Sequence, residues 1–391
     1  MEYESASRTA ERLGVNVRTV QKWCKENKLK GAKKVGRDWL IPVDVHSTEN
    51  SSDTDTKSVI SNPIPLFNYS HEIGGCFDYI NSIEDEDKRN ICLGEYYYYR
   101  GEFEKSSVIL EAYLNDENPD YSFTAAFICA YDNLCNKHTN MAKFSFELVK
   151  QHFNKYFPKK TDDKRLQALS VFFMSNVAIQ FQYSEDEIPK LEDYMKYLPN
   201  ALKLYSCYLM AYKAYLDRDY SRSLGIAETA LNCCLNTYPL AAAYIHIIAA
   251  VDYMNLMNIK AAKERVEKAW ELVEKDGLIV PFVEHYSLLQ GLVEVFFKKQ
   301  YPEEYNKIVS RAKQFNNTWF AIHNEKTGRT VADNLTTTEF IIAMLYNRGW
   351  RMKEIANHLE LSERTVKNYM QIVYEKLGIN NKRELEKFML R

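Results

Sequence analysis

The stretch Leu361-Ser362-Glu363-Arg364-Thr365-Val366-Lys367-Asn368-Tyr369-Met370-Gln371-Ile372-Val373-Tyr374-Glu375-Lys376-Leu377-Gly378 carries its own start and stop. Ser362 is a good N-cap, and Glu363 suits the positive end of a helix. Gly378 is a normal residue just past a helix end. Val366, Met370, Val373 and Leu377 fall at i, i+4, i+7 and i+11, so one side of this helix is apolar and faces a core. Lys367, Asn368 and Gln371 share another face. Lys donates to guanine, and Asn or Gln pairs bidentately with adenine, so this face suits the major groove of double-stranded DNA. The same pattern also suits an ordinary solvated helix face.

Working outward, Leu335 precedes Thr336-Thr337-Thr338-Glu339, where Thr336 and Glu339 form a capping box. That helix is predicted to reach Asn347 and stop at Gly349. A second covers Met352 to Leu359, and a fourth covers Lys382 to Met389. Together, Gly349-Trp350-Arg351-Met352-Lys353-Glu354-Ile355-Ala356, Leu359, Leu361 to Tyr369 and Lys376-Leu377-Gly378-Ile379 resemble the LuxR-type helix-turn-helix over some 55 residues. The resemblance implies that Lys367, Asn368 and Gln371 contact bases. It implies that Lys353, Arg364, Thr365 and Lys376 contact phosphates. It also implies a homodimer on two-fold DNA, formed through the last helix, and an activator that meets RNA polymerase. The chain departs from the family at Thr338-Glu339-Phe340-Ile341-Ile342, at Arg351-Met352 and at Tyr369.

The other end has a related plan. A helix runs from Ser5 to Leu13, Gly14 stops it, and Asn16 caps a second helix from Val17 to about Asn27. Lys33-Lys34-Val35 and Asp38-Trp39-Leu40-Ile41, joined at Gly36-Arg37, read as a strand pair. Thr9-Ala10-Glu11-Arg12-Leu13-Gly14-Val15, Arg18-Thr19-Val20, Trp23 and Gly36 to Pro42 are similar to the MerR/excisionase-type winged helix-turn-helix. Arg18, Thr19 and Lys22 on the second helix, with Lys33, Lys34 and Arg37 on the wing, are the expected DNA contacts. Trp23 and Trp39 are expected in the core.

Between the ends, residues 44–66 are polar, with Pro63 and Pro65, and are predicted to be a flexible linker. Residues 67–330 are densely helical. Turn-like sites recur at Gly101-Glu102-Phe103, Thr139-Asn140-Met141, Ser184-Glu185-Asp186, Asp219-Tyr220, Met257-Asn258-Ile259 and Gln300-Tyr301-Pro302. Small residues repeat beside them: Ala214 and Ala250 before a turn, Ala230 and Ala269 after one. A period near 40 made of two helices predicts an α-solenoid and resembles tetratricopeptide-type repeats. Its concave face would take a peptide, protein or small-molecule effector. Tyr208, Tyr212, Tyr244 and Tyr253 either line that face or pack.

The expected fold is therefore mainly α: a winged helix-turn-helix at 1–43, a linker at 44–66, helical repeats at 67–330 and a four-helix LuxR-type unit at 331–391. Charge agrees with two DNA-binding ends. Of a net −2 for 391 residues, residues 1–44 hold ten Lys/Arg against six Asp/Glu, and residues 335–391 hold ten against seven. The middle is correspondingly acidic. Eight cysteines occur without a CxxC pair or zinc spacing, which predicts reduced, mostly buried thiols. Met1-Glu2-Tyr3-Glu4 does not read as a secretory leader, and no apolar run is long enough to span a bilayer, so a cytoplasmic protein is expected. There is no GxxxxGK[ST] or GxGxxG phosphate-binding motif and no nucleophile-and-base constellation. His152, His246 and His285 are isolated. No enzyme activity, cofactor or metal is expected. The reading is a bacterial transcription regulator with an effector-sensing body. The alternative is a repeat-based adaptor for other proteins, with secondary, sequence-blind DNA binding.

Overall fold

The computed structural model describes residues 3–13, 17–25, 32–35, 38–42, 62–70, 72–157, 161–181, 188–234, 238–327 and 335–389. The chain divides into two compact units, residues 1–60 and 61–391.

In the first unit, helices Ala6–Leu13 and Val17–Lys25 pack on a three-stranded antiparallel sheet. Strand Asp38–Pro42 is central, with Lys33–Val35 on one side and Tyr3–Ser5 on the other. The sequence reading missed this last strand because three residues show no alternation. Its pairing of Glu4 with Ile41 is what orders it. Ala6, Ala10, Val20, Cys24 and Ile41 form the core, and Trp39 packs half-buried against it. The predicted turn at Gly14-Val15-Asn16, the wing tip Gly36-Arg37 and the side chain of Trp23 lie outside the described residues.

After the short helix Cys76–Ser82, the second unit continues in helix pairs. Glu86–Tyr99 precedes Phe103–Leu110, and Pro119–Cys135 precedes Thr139–Tyr156. Further on, Asn200–Leu216 precedes Tyr220–Cys234, and Pro239–Asn255 precedes Ile259–Val273. Each pair is joined by one turn geometry. Gly101, Lys137, Arg218 and Met257 are left-handed, with φ of 73°, 60°, 63° and 61°. At the first turn, Gly101 N–H donates to Tyr98 O (2.8 Å) and Glu102 N–H to Tyr97 O (2.9 Å); at the last, Met257 N–H donates to Met254 O and Asn258 N–H to Tyr253 O. Carbonyls that a helix end would leave open are thus closed by the chain's own amides. Helix Thr139–Tyr156 starts where the sequence reading put a turn; the turn itself is Asn136 to His138. The site Ser184-Glu185-Asp186 lies outside the described residues. Small side chains let the helices meet: Ala241, Ala242, Ala243, Ala249 and Ala250 are all buried.

The start of this unit differs from expectation. Ile64 and Leu66 fall in the expected linker 44–66 and Phe67 at the first position after it, yet all three are buried in the helical body at 3%, 0% and 3% exposure. Their amides account for this. The fully buried Glu95 accepts from Leu66 N (3.0 Å) and Phe67 N (3.1 Å), and Thr124 Oγ1 accepts from Ile64 N (2.7 Å). Polar composition around these residues hid three apolar anchors whose partners are distant in sequence.

Four helical segments close the chain: Thr337–Asn347, Met352–Leu359, Glu363–Leu377 and Lys382–Leu385, the last continued by a 3₁₀ turn at Glu386–Phe388. They pack on the helical body. Phe320 meets Phe340 at 5.7 Å between ring centres. Arg348 donates to Asn255 Oδ1 (2.8 Å) and to the Tyr215 hydroxyl. His358 Nε2 lies 2.8 Å from Gln290 O, and Lys299 pairs with Glu360 at 2.6 Å. Among the described residues no helix is long and apolar enough to cross a membrane. Cys24, Cys76, Cys92, Cys129 and Cys135 are buried free thiols.

Candidate nucleic-acid interface

The C-terminal segment is assembled by its caps. Thr336 Oγ1 accepts from Glu339 N, and Glu339 returns the bond to Thr336 N at 2.7 Å. Glu339 is also where the first and third helices join: Lys376 Nζ lies 2.8 and 3.0 Å from its carboxylate oxygens. Burial pushes the Glu339 carboxyl up, but Lys376 and the Thr336 amide outweigh it and hold it below the usual range. The second helix opens on Arg351, whose amide donates to Glu354 at 2.7 Å. This is the returning half of a capping box; it satisfies the Arg351 amide, while no side chain at 351 caps the first turn. Ser362 Oγ accepts from Thr365 N at 3.0 Å and starts the third helix.

Val366, Met370 and Val373 are buried at 0%, 3% and 0%, so the apolar stripe faces inward and fixes which side faces out. Lys367, Asn368 and Gln371 lie together on the exposed side. Lys367 pairs with Glu363 at 2.7 Å, one turn earlier, and Gln371 donates to Glu375 at 3.1 Å. Lys367 in turn holds the exposed Glu363 carboxyl below its usual range. These surface bonds are weak and exchange readily for a stronger partner. Arg364 and Lys353 are exposed. Thr365 is half-buried, its hydroxyl 2.7 Å from Ser362 Oγ. Lys376 stands apart from the others, since its ammonium ties the first helix to the third.

In the first unit, Arg18 and Lys22 are exposed on the second helix, and Lys33 and Lys34 are exposed on the edge strand. The side chain of Thr19 and all of Arg37 fall outside the described residues. Among the described residues no group of three His, Cys, Asp or Glu side chains is placed to hold a metal ion.

Sequence reasoning placed the outward side chains but missed Arg348. It reads as a helix-end cation, yet it reaches back to Tyr215 and Asn255. The four tyrosines offered as a lining resolve differently: Tyr208, Tyr212 and Tyr244 are buried, and Tyr253 is half-buried and donates to Glu228 (3.1 Å).

A capped helix that exposes basic and amide side chains, packed with two shorter helices, has the arrangement of a helix-turn-helix. Residues 333–389 match the family of bacterial regulatory proteins called the luxR family, and residues 5–44 match a helix-turn-helix domain family. The chain is thus a DNA-binding transcription regulator in class. No curated protein and no solved structure matches the chain.

Proposed function

We propose that this chain binds a specific DNA sequence through Lys367, Asn368 and Gln371, with Lys353, Arg364 and Thr365 on the phosphates. Lys376 joins them only by giving up part of its pairing with Glu339. The exposure of the three base-reading side chains on one capped helix, within a segment that matches luxR-family regulators, is the observation that carries this reading. The N-terminal unit adds a second contact through Arg18, Thr19, Lys22, Lys33, Lys34 and Arg37.

The helical body is read as an effector-binding domain of tetratricopeptide-like helix pairs. Its recurring left-handed turns support this. Because the C-terminal helices pack on that body at Asn255, Gln290 and Gly291, a change of packing there biases how the third helix is presented. The luxR-type match favours an activator that contacts RNA polymerase and binds as a homodimer.

Binding of the purified chain to genomic fragments, followed by salt titration on the best fragment, tests the reading. Lys367→Ala or Gln371→Ala is expected to weaken specific binding by about 1–3 kcal/mol. Weak binding to every duplex, lost with salt and indifferent to both substitutions, refutes it and leaves the adaptor reading.

A further inference from the structure

Four cations gather in one cleft where the C-terminal helices meet the helical body. Arg218 stands at the left-handed corner between Asn200–Leu216 and Tyr220–Cys234. Arg348 follows helix Thr337–Asn347, and Lys382 and Arg383 open the last helical segment. These four, with Tyr220 and Glu386, line a cleft of about 650 Å³. That volume falls within the range of small-molecule sites. The cleft is open to solvent, since Arg218, Lys382, Arg383 and Glu386 are all exposed.

Among the described residues, Glu386 is the one carboxylate that lines the cleft. It pairs with Arg218 at 3.0 Å, and both side chains are more than half exposed. Such a pair is weak and gives way to a stronger partner. Among the described residues, the other three cations have no carboxylate within ion-pair distance. Arg348 is half-buried and donates to two neutral acceptors, Asn255 Oδ1 at 2.8 Å and the Tyr215 hydroxyl. These bonds fix its guanidinium but leave its charge unanswered. Asp252 feels that charge, but burial pushes its carboxyl up to about 8, so it is mostly protonated near pH 7. Lys382 Nζ lies 4.8 Å from the centre of the Tyr346 ring, a neutral partner again. Like charges around one cavity repel, and an anion between them relieves the repulsion.

We infer that this cleft binds a phosphorylated small molecule, held by Arg218, Arg348, Lys382 and Arg383. A phosphoryl group brings nearly two negative charges and three acceptor oxygens, and guanidinium forks meet such oxygens in pairs. Tyr220 gives the rest of the molecule an apolar wall on the body side. A small molecule fits better than a duplex, because the cleft is concave and the body supplies one wall, whereas a duplex takes a protruding helix into its groove. A phosphate that replaces Glu386 on Arg218, and also holds Lys382 and Arg383, ties the last helical segment to the body. Its regulatory meaning rests on the reading of the body as an effector-binding domain.

Calorimetric titration of the full chain at one ionic strength tests the site, with fructose 1,6-bisphosphate, citrate and neutral fructose as probes. The bisphosphate is expected to bind at least about tenfold tighter than fructose and measurably tighter than citrate. Arg383→Gln is expected to weaken the bisphosphate about fivefold or more, and Glu386→Gln, which removes the competing carboxylate, to tighten it about threefold. Lys105→Gln removes an exposed cation outside the cleft and is expected to change nothing. No binding of the bisphosphate up to about 10 mM overturns the proposal. So does citrate binding as tightly as the bisphosphate, or bisphosphate binding indifferent to Arg383→Gln. If a variant does not fold, the comparison of the three probes on the unaltered chain decides. Capture of genomic DNA without any small phosphate is read separately. If Arg383→Gln weakens that capture while the parent binds no bisphosphate, these cations serve the DNA backbone and the proposal falls. A chain that finds its operator but binds no bisphosphate refutes only this site, and a chain that binds bisphosphate but no operator refutes only the regulator.

Discussion

Replacing Gly291 by alanine tests whether the C-terminal helices are held to the body as described. Gly291 has φ +88°, a left-handed conformation that costs an L side chain about 1–2 kcal/mol. A Cβ there would lie 2.3 Å from Leu359 Cδ2 and 3.3 Å from His358 Nε2. Leu359 is half-buried and its methyl can swing aside, which sets the crowding near the low end of the usual overpacking cost, about 1–2 kcal/mol. The expected total is about 2–4 kcal/mol, and part of it is relieved if the helix Met352–Leu359 lifts from the body. Hydrogen exchange read segment by segment is the suitable assay. Amides of Ile355 to Leu361 are expected to exchange at least about thirtyfold faster in Gly291→Ala, while those of helix Pro239–Asn255 hold. If the whole chain loses less than about 0.5 kcal/mol and exchange at 355–361 is unchanged, the docked arrangement is wrong.

Glu284 also predicts a pH dependence. Burial raises its carboxyl to about 7, against which the Tyr98 and Tyr244 hydroxyls act only in part. The fold therefore favours the protonated form. That stability is fully present below about 4.5 and is lost as pH rises through about 7, a fall of about 3 kcal/mol from this group. The melting temperature of Glu284→Gln is expected to fall less between pH 5 and 7 than that of the parent; an equal fall in both refutes the assignment. Ser362→Ala removes the hydroxyl that accepts from Thr365 N. It is expected to cost about 1 kcal/mol, read as faster exchange at Thr365 and Val366 and weaker DNA binding, and unchanged exchange there would refute the cap.

The two ends were legible because their signals are local. Ser362, Thr336, Gly349 and Gly378 start or stop helices within a few residues, and spacing alone set Val366, Met370 and Val373 inward. The strand Tyr3–Ser5 was not legible, since its order comes from a partner some 37 residues on. In the body, aromatic helices and turns were visible, but the inward acids were not. Glu95 and Glu284 look like any solvated carboxylate in sequence. One is buried by amides of Leu66 and Phe67, the other by phenols of Tyr98 and Tyr244, and those partners come together only in the folded body.

The turn between paired helices is closed by main-chain bonds alone, and Gly, Lys, Arg and Met all occupy its left-handed position. The left-handed position favours glycine, yet Lys137, Arg218 and Met257 hold it too, because the closing bonds come from the backbone whatever side chain stands there. Such corners leave their residues free to drift, so the scaffold can keep its shape after its letters have been rewritten. The exposed face of the third C-terminal helix differs, because what it presents is the side chains of Lys367, Asn368 and Gln371.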